Sequence, residues 1–420
     1  MVGGAVRDRL LGRPAHDQDV VTDARPDIVA ALFPKTIPVG AAFGVLLVPT
    51  VQGMVEVATF RREGPYLDGR HPAFVEFGTL EEDVRRRDFA VNALLYDPLR
   101  DEVLDLVGGR ADLAARLIRT VGDPDARFAE DRLRILRAVR LAAELEFTIE
   151  EQTYGAIVRH APAIREVSAE RIRAELLRLL TAPGRAQGLE TLRASGVLPQ
   201  VLPEVAAMEG IPQPPEFHPE GDVFTHTRLA LAHLRDPSPV LALAVLLHDV
   251  GKPPTFERAD RIRFNRHAEV GAEMTEAICR RLRLSADDTE RVTALVRDHL
   301  RFIDVRQMRP ARLKRFLARP DFADHLELHR VDCLASHGDL STWSWAREEA
   351  ARLTEEERRP PRLVTGEDLI ALGYRPGPRF REMLDAVVDA QLEGTIRTRD
   401  EALTLLRREF PKENAPPERN

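Results

Sequence analysis

Short apolar runs separated by glycine and proline dominate the first 120 residues of the chain. Residues 45–49 (VLLVP), 55–60 (VEVATF) and 93–96 (ALLY) combine alternation with β-branched side chains, a pattern typical of strands. From residue 125 to about residue 205, apolar positions instead recur with the period of an α-helix, and Leu, Ala and Arg predominate. The pattern therefore predicts an α/β domain followed by an all-helical body.

Breaks in this pattern divide the rest of the chain. Residues 210–219 (GIPQPPEFHP) are rich in proline and predict a linker or domain boundary, after which helical patterning runs from residue 224 to about residue 353. A second break, at residues 358–362 (RRPPR), precedes two or three further helices, and the last ten residues look disordered. The domain boundaries predicted from these breaks give the regions 1–120, 121–209, 210–340 and 341–420.

Composition narrows the class of protein. The 420 residues are 44% apolar and 31% charged, with a mean hydropathy of -0.27, which is typical of a soluble protein of several globular domains. No apolar run is long enough for a transmembrane helix, and no signal peptide is visible. Two cysteines exclude a disulfide scaffold and a Cys-rich zinc site, so the predicted compartment is the reducing cytoplasm.

The charge distribution bears on nucleic-acid binding. A net charge of -7 argues against a protein that coats nucleic acid through bulk charge, but it allows a local basic surface. The densest basic run lies within residues 301–319, and two interpretations of it stand level: contact with RNA phosphates, or a solvated helix face. The candidate RNA-binding residues in this run are Arg306, Arg309, Arg312, Lys314 and Arg315.

The N-terminal segment carries the first candidate chemistry. Gly3 and Gly4 lie where a strand passes into a helix, which lets the backbone approach a phosphate group. Asp17 and Asp19 are two residues apart and precede Val-Val, so on a strand both carboxylates face the same way. Two such carboxylates are suited to hold Mg²⁺, the metal that nucleotidyl transfer requires.

These motifs and three later ones form an ordered set. Residues 3–13 (GGAVRDRLLGR) and 17–22 (DQDVVT) are followed by residues 86–93 (RRDFAVNA), by a motif at residues 105–113 and by residues 130–134 (EDRLR). In this order they resemble the motifs of the class II tRNA nucleotidyltransferase and bacterial poly(A) polymerase family, within the polymerase β superfamily. The resemblance extends over about the first 205 residues. It implies an α+β nucleotidyltransferase palm with a small mixed sheet, followed by an all-α neck.

The resemblance also implies roles for individual residues. Asp17 and Asp19 are the expected catalytic carboxylates and Mg²⁺ ligands. Residues at the matching motif positions are expected to bind the nucleotide: Gly3, Gly4, Arg7, Asp8, Arg86, Arg87, Asp88, Asn92, Glu130, Asp131, Arg134, Arg137 and Arg140. Glu56, within residues 54–61 (MVEVATFR), is either a third carboxylate near the metals or an outward-facing strand residue.

Asp131 and Arg134 are the expected base-recognition pair. Three residues apart, they share one face if the segment is helical, and Glu130 would orient Arg134. Cytosine and adenine both present an amino group beside a ring acceptor, which suits one carboxylate and one guanidinium, whereas uracil and guanine present the reverse order. The alternative is a surface ion pair on a helix.

Two further features bear on the activity. Residues 61–72 (RREGPYLDGRHP) resemble a flexible loop that the family uses to add the terminal A, and their full length disfavours an enzyme that adds only CC. Family members usually carry a helix and most of a strand before the paired glycines, whereas here only Met1 and Val2 precede them. We therefore expect either an upstream start codon or a shortened first strand.

A second constellation lies in region 210–340. His248 and Asp249 follow an apolar run, and the segment at residues 248–252 (HDVGK) resembles the signature of HD-domain phosphohydrolases, a domain that several bacterial members of the family carry after the neck. Histidine and aspartate from different helices can build a metal site that activates water. The expected divalent-metal ligands, for a metal of unknown identity, are His226, His248, Asp249, His267, His299 and Asp332. Lys252 is the expected phosphate ligand.

Five functions remain open at this point, of which the least specific is a tRNA-binding protein that has lost catalysis through its short N-terminus. The leading hypothesis is the template-independent, Mg²⁺-dependent addition of CCA from CTP and ATP to the tRNA acceptor end. An enzyme that adds only A, alongside a CC-adding partner, shares every motif. The third hypothesis is an HD phosphohydrolase, which is compatible with transfer in the same chain. The fourth is a poly(A) polymerase, disfavoured by the acidic, Pro-rich C-terminus.

Overall fold

The computed structural model describes residues 1–14, 19–33, 35–40, 44–51, 53–64, 66, 73–216 and 218–411. Asp17 and most of the predicted flexible loop, residues 65 and 67–72, lie outside these ranges, as do residues 412–420 of the predicted disordered tail. By its internal contacts the chain divides into two compact units, residues 1–293 and 294–420, which are described separately.

The first 118 residues alternate short helices and strands. In chain order the elements are α1 (Gly4–Leu10), β1 (Asp19–Thr22), α2 (Pro26–Leu32), β2 (Ile37–Gly40), β3 (Val45–Thr50), β4 (Gly53–Thr59), β5 (Arg61–Glu63), β6 (Val75–Phe77), α3 (Leu80–Arg85), β7 (Leu95–Asp97), β8 (Glu102–Leu104), α4 (Gly109–Ala115) and β9 (Leu117–Ile118). Strands β1, β4, β3 and β2 lie side by side in that order. Strand β1 runs parallel to β4, and the other two pairings are antiparallel, so the sheet is mixed, as predicted.

Val2 joins this sheet to the strands that follow. Its backbone bridges both Asp19 of β1 and Leu95 of β7, and α1 begins two residues later. The Val2 side chain is buried in an apolar cluster with Val84 and Val121. The start of α1 is therefore held between β1 and β7, which positions the glycine turn beside the first residue of β1.

Helices make up most of the next segment, as the sequence predicts. The elements are α5 (Pro124–Glu130), α6 (Arg134–Leu145), β10 (Thr148–Ile149), α7 (Glu151–His160), α8 (Ala169–Thr181), α9 (Arg185–Ala194), α10 (Leu198–Val201) and α11 (Pro203–Ala206), with a 3₁₀ helix at Ala161–Glu166. Helix α6 is amphipathic and buries one face against α8 and α9. Strand β10 pairs with β9 in parallel, which ties this helical segment to the preceding domain.

The Pro-rich stretch forms neither helix nor strand over its described residues. It is followed by α12 (Val223–His233), α13 (Pro239–Leu247), β11 (Phe256–Arg258), β12 (Ile262–Phe264), α14 (His267–Arg281) and α15 (Ala286–Asp298). Every residue of α13 after Pro239 is buried, so this helix is surrounded by protein. The antiparallel hairpin of β11 and β12 interrupts a stretch that the sequence predicts as helical throughout, and that prediction is wrong there.

The second unit is helical in the residues described. Its elements are α16 (Pro310–Leu317), α17 (Phe322–Ala335), α18 (Ser341–Arg352), α19 (Glu355–Arg358), α20 (Gly366–Ala371), α21 (Arg379–Leu392) and α22 (Arg399–Glu409), preceded by 3₁₀ helices at His299–Phe302 and Val305–Gln307. Three helices follow the break at residues 358–362, within the predicted range. None of the helices described in either unit is long and apolar enough to cross a membrane.

Candidate functional site

Two carboxylates meet at the start of β1. Asp19 is the first residue of this strand and pairs in register with Glu56 of the parallel neighbour β4. Residues in register on adjacent strands point to the same face of a sheet, so the two side chains lie next to each other. Their oxygen atoms are the ligand type that Mg²⁺ prefers. Asp17, the other predicted ligand, lies outside the described residues.

The glycine turn brings the first and second motifs together. Gly3 has φ 74°, a left-handed conformation that favours glycine, and a Cβ placed on it would lie 3.8 Å from Nη1 of Arg87. The Arg7 guanidinium donates to Oδ1 of Asn92 at 2.6 Å and pairs with Asp8 at 2.8 Å. Residues 85 positions apart in the sequence are thus joined at the start of α1.

A buried carboxylate that the sequence analysis missed orients both arginines of the second motif. Asp83 is fully buried and pairs with Arg86 at 2.6 Å and with Arg87 at 2.9 Å. Its spacing of three and four residues before these arginines, on α3, is the signal that could have identified it. Glu63, also missed, lies 3.1 Å from Arg86 and accepts a hydrogen bond from the Tyr66 hydroxyl. Burial and this hydrogen bond raise the pKa of Tyr66.

Asp88 connects the second motif to the helical segment. Its Oδ2 lies 2.7 Å from Nη2 of Arg137 on α6, and its Oδ1 accepts the backbone N–H of Phe89. Because Asp88 is buried, its pair with Arg137 fixes the motif at residues 86–93 against α6. Arg137 is the more exposed partner.

The predicted base-recognition pair does not lie on one continuous helix. Asp131 follows the end of α5 with extended dihedral angles (φ -140°, ψ 105°), and α6 begins only at Arg134. The prediction of a shared helix face is therefore wrong. Instead Asp131 accepts the backbone N–H of Leu133, which lies in the interval between the two helices, and pairs with Arg171 of α8 at 2.8 Å.

Arg134 is held rigidly beside this break. Its Nη1 donates to Glu130 Oε2 at 2.6 Å and to the carbonyl of Arg127, and its Nη2 donates to the carbonyl of Arg86. The guanidinium is almost fully buried, and these contacts leave it little rotational freedom. Arg140 is also buried, but between the carboxylates of Glu144 and Glu175, each at 2.5 Å. That geometry favours a structural role for Arg140, in contrast to the predicted nucleotide contact.

Four predicted metal ligands cluster in the first unit. The Nε2 atoms of His226 and His248 are 3.3 Å apart, and Asp249 Oδ2 lies 3.3 Å from the second of them. Asp249 Oδ1 is 3.6 Å from Nε2 of His267. His226, His248 and Asp249 are almost wholly buried. The three imidazoles and the carboxylate therefore converge from α12, from the end of α13 and from the start of α14.

The opposite ring nitrogen of each histidine has its own acceptor. His248 Nδ1 lies 2.8 Å from the Val245 carbonyl, and His267 Nδ1 lies 2.9 Å from the Phe264 carbonyl. His226 Nδ1 lies 2.6 Å from Oε1 of Glu220. When Nδ1 donates its proton to an acceptor, Nε2 carries the lone pair. A histidine that ligates a metal must have this form, and Nε2 is the nitrogen that each ring presents to the cluster. The residues present thus fit a divalent metal bound by nitrogen and oxygen.

Lys252 is closely associated with this cluster. Its ammonium lies 2.6 Å from Asp249 Oδ2 and 2.7 Å from Gln213 Oε1, and the side chain is buried. Burial alone would raise the pKa of Asp249, but His248 and Lys252 outweigh it and hold that pKa well below its ordinary value.

Two predicted ligands belong to the second unit. His299 is buried there, and its Nδ1 lies 2.6 Å from the Val296 carbonyl, the pattern seen for His248. Asp332 lies on α17. Their metal-binding role remains a prediction from the sequence. Two residues of the first unit that the sequence analysis missed, His218 and Glu220, adjoin His226 and lie in the stretch before α12.

The basic run in the second unit divides into two groups. Lys314 lies 2.8 Å from Glu357 and donates to the Leu392 carbonyl, and Arg315 pairs with both Asp385 and Asp389. Arg306 donates to the Ser341 carbonyl and stacks on Trp345. Arg309 and Arg312 are exposed, as Arg306 is, and line a pocket of about 800 Å³ to which Arg315, Asp385 and Asp389 also contribute.

Comparison with known proteins agrees with this geometry. Sequence models of three families match: the poly A polymerase head domain over residues 1–119, the probable RNA and SrmB-binding site of polymerase A over residues 146–209, and the HD domain over residues 222–332. The CCA-adding enzyme of Geobacillus thermodenitrificans is 47% identical over 206 residues, which are 49% of this chain and 50% of that enzyme. The chain thus spans about half the length of this relative.

Two similarities extend over nearly the whole chain. The A-adding tRNA nucleotidyltransferase of Deinococcus radiodurans is 36% identical over 431 residues, which cover 97% of this chain and 94% of that protein. The crystal structure of the Bacillus stearothermophilus CCA-adding enzyme in complex with CTP is similar with a TM-score of 0.71 and 29% identity, covering 97% of this chain and 92% of that one. The chain therefore belongs to the class II tRNA nucleotidyltransferase family and is a member that carries an HD domain.

Proposed function

We propose that the protein adds CCA to the 3′ end of tRNA from CTP and ATP. The observation that carries this proposal is the juxtaposition at the glycine turn: Val2 bridges to Asp19, which pairs with Glu56, while the next residue, Gly3, approaches Arg87. Carboxylates and guanidinium groups thus converge where the backbone is open, which is the arrangement that a metal-bound triphosphate needs. The identity of 47% with a CCA-adding enzyme over 206 residues supports it.

Different residues of the N-terminal domain, residues 1–119, serve different steps of nucleotidyl transfer. Asp17, Asp19 and Glu56 would hold Mg²⁺, which supplies charge neutralisation at the triphosphate. Arg7 and Arg87, which converge on the glycine turn, bind and orient the triphosphate. Asp83, held against Arg86 and Arg87, fixes the direction of both guanidinium groups before the nucleotide arrives.

Asp131 and Arg134 select the base. Asp131 accepts a hydrogen bond from the amino group of cytosine or adenine, and Arg134 donates to the neighbouring ring nitrogen. Arg171 orients the first and Glu130 the second. Uracil and guanine present the reverse order of donor and acceptor, so both protein groups would be left without partners, at a cost that hydrogen-bonding sites convert into strong selectivity.

A second candidate is the addition of A alone. The observation that favours it is the Deinococcus relative, an A-adding enzyme that matches this chain over 97% of its length, whereas the Geobacillus CCA-adding enzyme matches over about half. Transcripts of one tRNA that end in the discriminator base, in C or in CC separate the two candidates when each is incubated with CTP, ATP or both. Three additions to the first transcript establish CCA addition.

The other outcomes of this assay are equally distinct. A single A on the CC-ended transcript alone establishes A addition, and a long adenylate ladder establishes a poly(A) polymerase. Asp19→Ala in the same assay is the control for a contaminating transferase, since it removes a predicted metal ligand. No extension by the unaltered protein would overturn the proposed transfer function.

We further propose that the histidine cluster of the first unit holds a divalent metal and hydrolyses phosphoesters. His226, His248, Asp249 and His267 supply the donors, and the metal supplies an activated water. Lys252, whose ammonium is held by Asp249 and Gln213, would place a positive charge beside a bound phosphate group. Hydrolysis of a chromogenic phosphodiester by the protein, lost in His248→Ala while transfer persists, tests this activity.

The basic run bears on RNA contact, and the cysteines bear on the location of the protein. The exposed Arg309 and Arg312 are the members of the basic run best placed to contact tRNA phosphates. A cytoplasmic location is consistent with this substrate and with the free, buried thiols of Cys279 and Cys333.

A further inference from the structure

Glu220 makes two hydrogen bonds to histidine with one oxygen atom. Its Oε1 lies 2.6 Å from Nδ1 of His226 and 2.9 Å from Nδ1 of His218. Only 6% of the Glu220 side chain is exposed, and His226 is fully buried. Its other oxygen, Oε2, is also buried and has no hydrogen-bond partner within the described ranges. Burial of a carboxylate costs free energy unless its oxygens are paired or hydrogen-bonded.

The position of His226 explains why it needs a side-chain acceptor. His248 follows the last residue of α13, and its Nδ1 uses the carbonyl three residues earlier, which belongs to the final helical turn. His226 lies inside α12, where the carbonyl three residues earlier belongs to Val223. That carbonyl already accepts the Thr227 hydroxyl at 2.9 Å. An acceptor for His226 Nδ1 must therefore come from outside the helix.

The segment before α12 places Glu220 for this task. Asp222 caps the helix by accepting the N–H of Thr225 at 2.8 Å, and its second oxygen accepts the N–H of Gly210 at 2.6 Å. These two bonds tie the stretch to the helix start. Glu220, two residues before the cap, is thereby held against the first turns of α12.

We propose that Glu220 is a positioning residue of the metal centre, which fixes the His226 ring so that Nε2 faces the metal. The inference rests on the proposed metal site. It assigns to Glu220 the role that backbone carbonyls play for His248 and His267, with the difference that a carboxylate also makes the imidazole a stronger ligand. His218 shares the same oxygen but is not required for this role.

Titration of the full-length protein with Co²⁺ tests the proposal. Co²⁺ favours imidazole nitrogen, and its visible absorption reports the coordination geometry. An Asp17→Ala/Asp19→Ala background removes two of the three carboxylates proposed for the other metal site. In this background Glu220→Ala is expected to weaken Co²⁺ affinity by about 10- to 100-fold and to alter the absorption spectrum. Glu220→Gln retains an acceptor for Nδ1 and is expected to restore most of the affinity.

Two further variants complete the design. His218→Ala removes the other hydrogen bond to Glu220 and is the matched control, with unchanged affinity expected. His226→Ala is expected to abolish binding at the site. If His226→Ala binds Co²⁺ like the parent, the proposed metal site fails and the inference with it. If binding depends on His226 but Glu220→Ala leaves it unchanged, the positioning role alone is overturned.

Loss of a bound equivalent is a separate outcome. If Glu220→Ala lowers the number of Co²⁺ ions bound rather than the affinity, Glu220 is itself a ligand and the positioning role is overturned. If His218→Ala weakens binding as much as Glu220→Ala does, the two residues act as a unit, which also contradicts an action of Glu220 through His226. Circular dichroism spectra of the variants, matched to that of the parent, establish that the folds are comparable.

Discussion

The carboxylate of Asp131 pairs at 2.8 Å with the guanidinium of Arg171, forty residues further along the chain. Asp131 lies in the break between α5 and α6, where its own dihedral angles are extended, while Arg171 projects from helix α8. The Asp131 carboxylate is thus held by two contacts, the local N–H of Leu133 and the distant guanidinium of Arg171. If Asp131 reads the base as proposed, this pair connects base recognition to helix α8.

Removal of this partner is expected to weaken base selection. Arg171→Ala removes one of the two contacts that orient the Asp131 carboxylate and leaves only the N–H of Leu133, so kcat/KM for CTP and ATP should fall by roughly 10-fold, the effect of about 1.4 kcal/mol. Misincorporation of UTP should fall less, which narrows the selectivity. Arg173→Ala, on the same helix, is the control. Single-nucleotide extension assays with each triphosphate measure the effect, and unchanged selectivity in Arg171→Ala would contradict the assigned role.

Glu56 is expected to contribute to transfer although it is exposed. It lies in register with Asp19, so Glu56→Gln keeps the shape but removes a negative charge beside the proposed Mg²⁺. We expect kcat to fall about 10- to 100-fold, the range found when a metal site loses a supporting group, with a higher Mg²⁺ concentration needed for half-maximal rate. Glu102→Gln, at an exposed position of strand β8, should have no effect. If Glu56→Gln has the same kinetics as Glu102→Gln, Glu56 does not act at the metal and is only a solvent-facing residue of the strand.

The sequence identifies the residue types of the site better than their arrangement. Glycines, carboxylates and arginines stand at fixed motif spacings, so their chemistry is visible in the sequence. Asp131 and Arg134 also stand at helical spacing, yet the helix is interrupted between them. The Asp131 carboxylate accepts the N–H of Leu133 and pairs with Arg171 instead. Glu220 could not be found by spacing, because its partner is a histidine buried by tertiary packing.

Gly251 is expected to be essential to the histidine cluster. A Cβ at this position would lie 2.1 Å from the carbonyl oxygen of His267 and 2.6 Å from the backbone nitrogen of Gly271. Gly251→Ala must therefore displace α14, which carries His267, at a cost of about 1–3 kcal/mol. We expect a lower unfolding temperature and weaker Co²⁺ binding. Gly377→Ala, where the added carbon meets nothing within 4 Å, is the control and should change neither.

Stability of the second unit is expected to depend on pH through His329. Burial lowers the pKa of His329 from its ordinary 6.5 to about 4, and its ring stacks on Phe302 at 4.3 Å. Between pH 6.5 and about 4 the unfolded chain binds a proton that the folded unit does not, so stability falls as the pH falls, by up to about 1.4 kcal/mol per pH unit.

His329→Phe removes this dependence while retaining an aromatic ring at the stack. Urea unfolding followed by tryptophan fluorescence measures the second unit selectively, because Trp343 and Trp345 both lie on α18. The difference in unfolding free energy between variant and parent should grow as the pH is lowered from 6.5 to 4 and remain constant above 6.5. A difference that is the same at all pH values would refute the lowered pKa.

The two groups within the basic run are expected to respond differently to substitution. Arg309→Ala/Arg312→Ala should weaken tRNA binding, and the slope of log affinity against log salt should become shallower by about one unit for each phosphate that the protein no longer neutralises. Arg315→Ala, whose guanidinium is already paired with Asp385 and Asp389, should leave that slope unchanged and lower thermal stability. Filter binding at several salt concentrations and thermal unfolding measure the two effects. Equal slopes in all variants would assign the whole run to the solvated surface.

Long-range pairing also limits what the sequence reveals of the fold. Strands β3 and β4 were predictable because apolar residues, several of them β-branched, recur through each of them. Strands β11 and β12 have only three residues each, too few to show alternation, and they lie between helices. The ion pair of Arg315 could not be predicted from the sequence for a similar reason, since its carboxylate partner Asp385 lies 70 residues away on α21.

The anchored imidazoles of His226, His248 and His267 bear on how the proposed metal centre would gain and lose its ion. Each ring is held by a hydrogen bond to Nδ1 in the protein as it stands, so ion capture requires little loss of side-chain entropy. Chelation should therefore remove the ion without unfolding the surrounding helices, unlike in a zinc finger, whose fold exists only with its metal. Such a centre can exchange one ion for another repeatedly, so the cell's supply of each metal would decide its occupant.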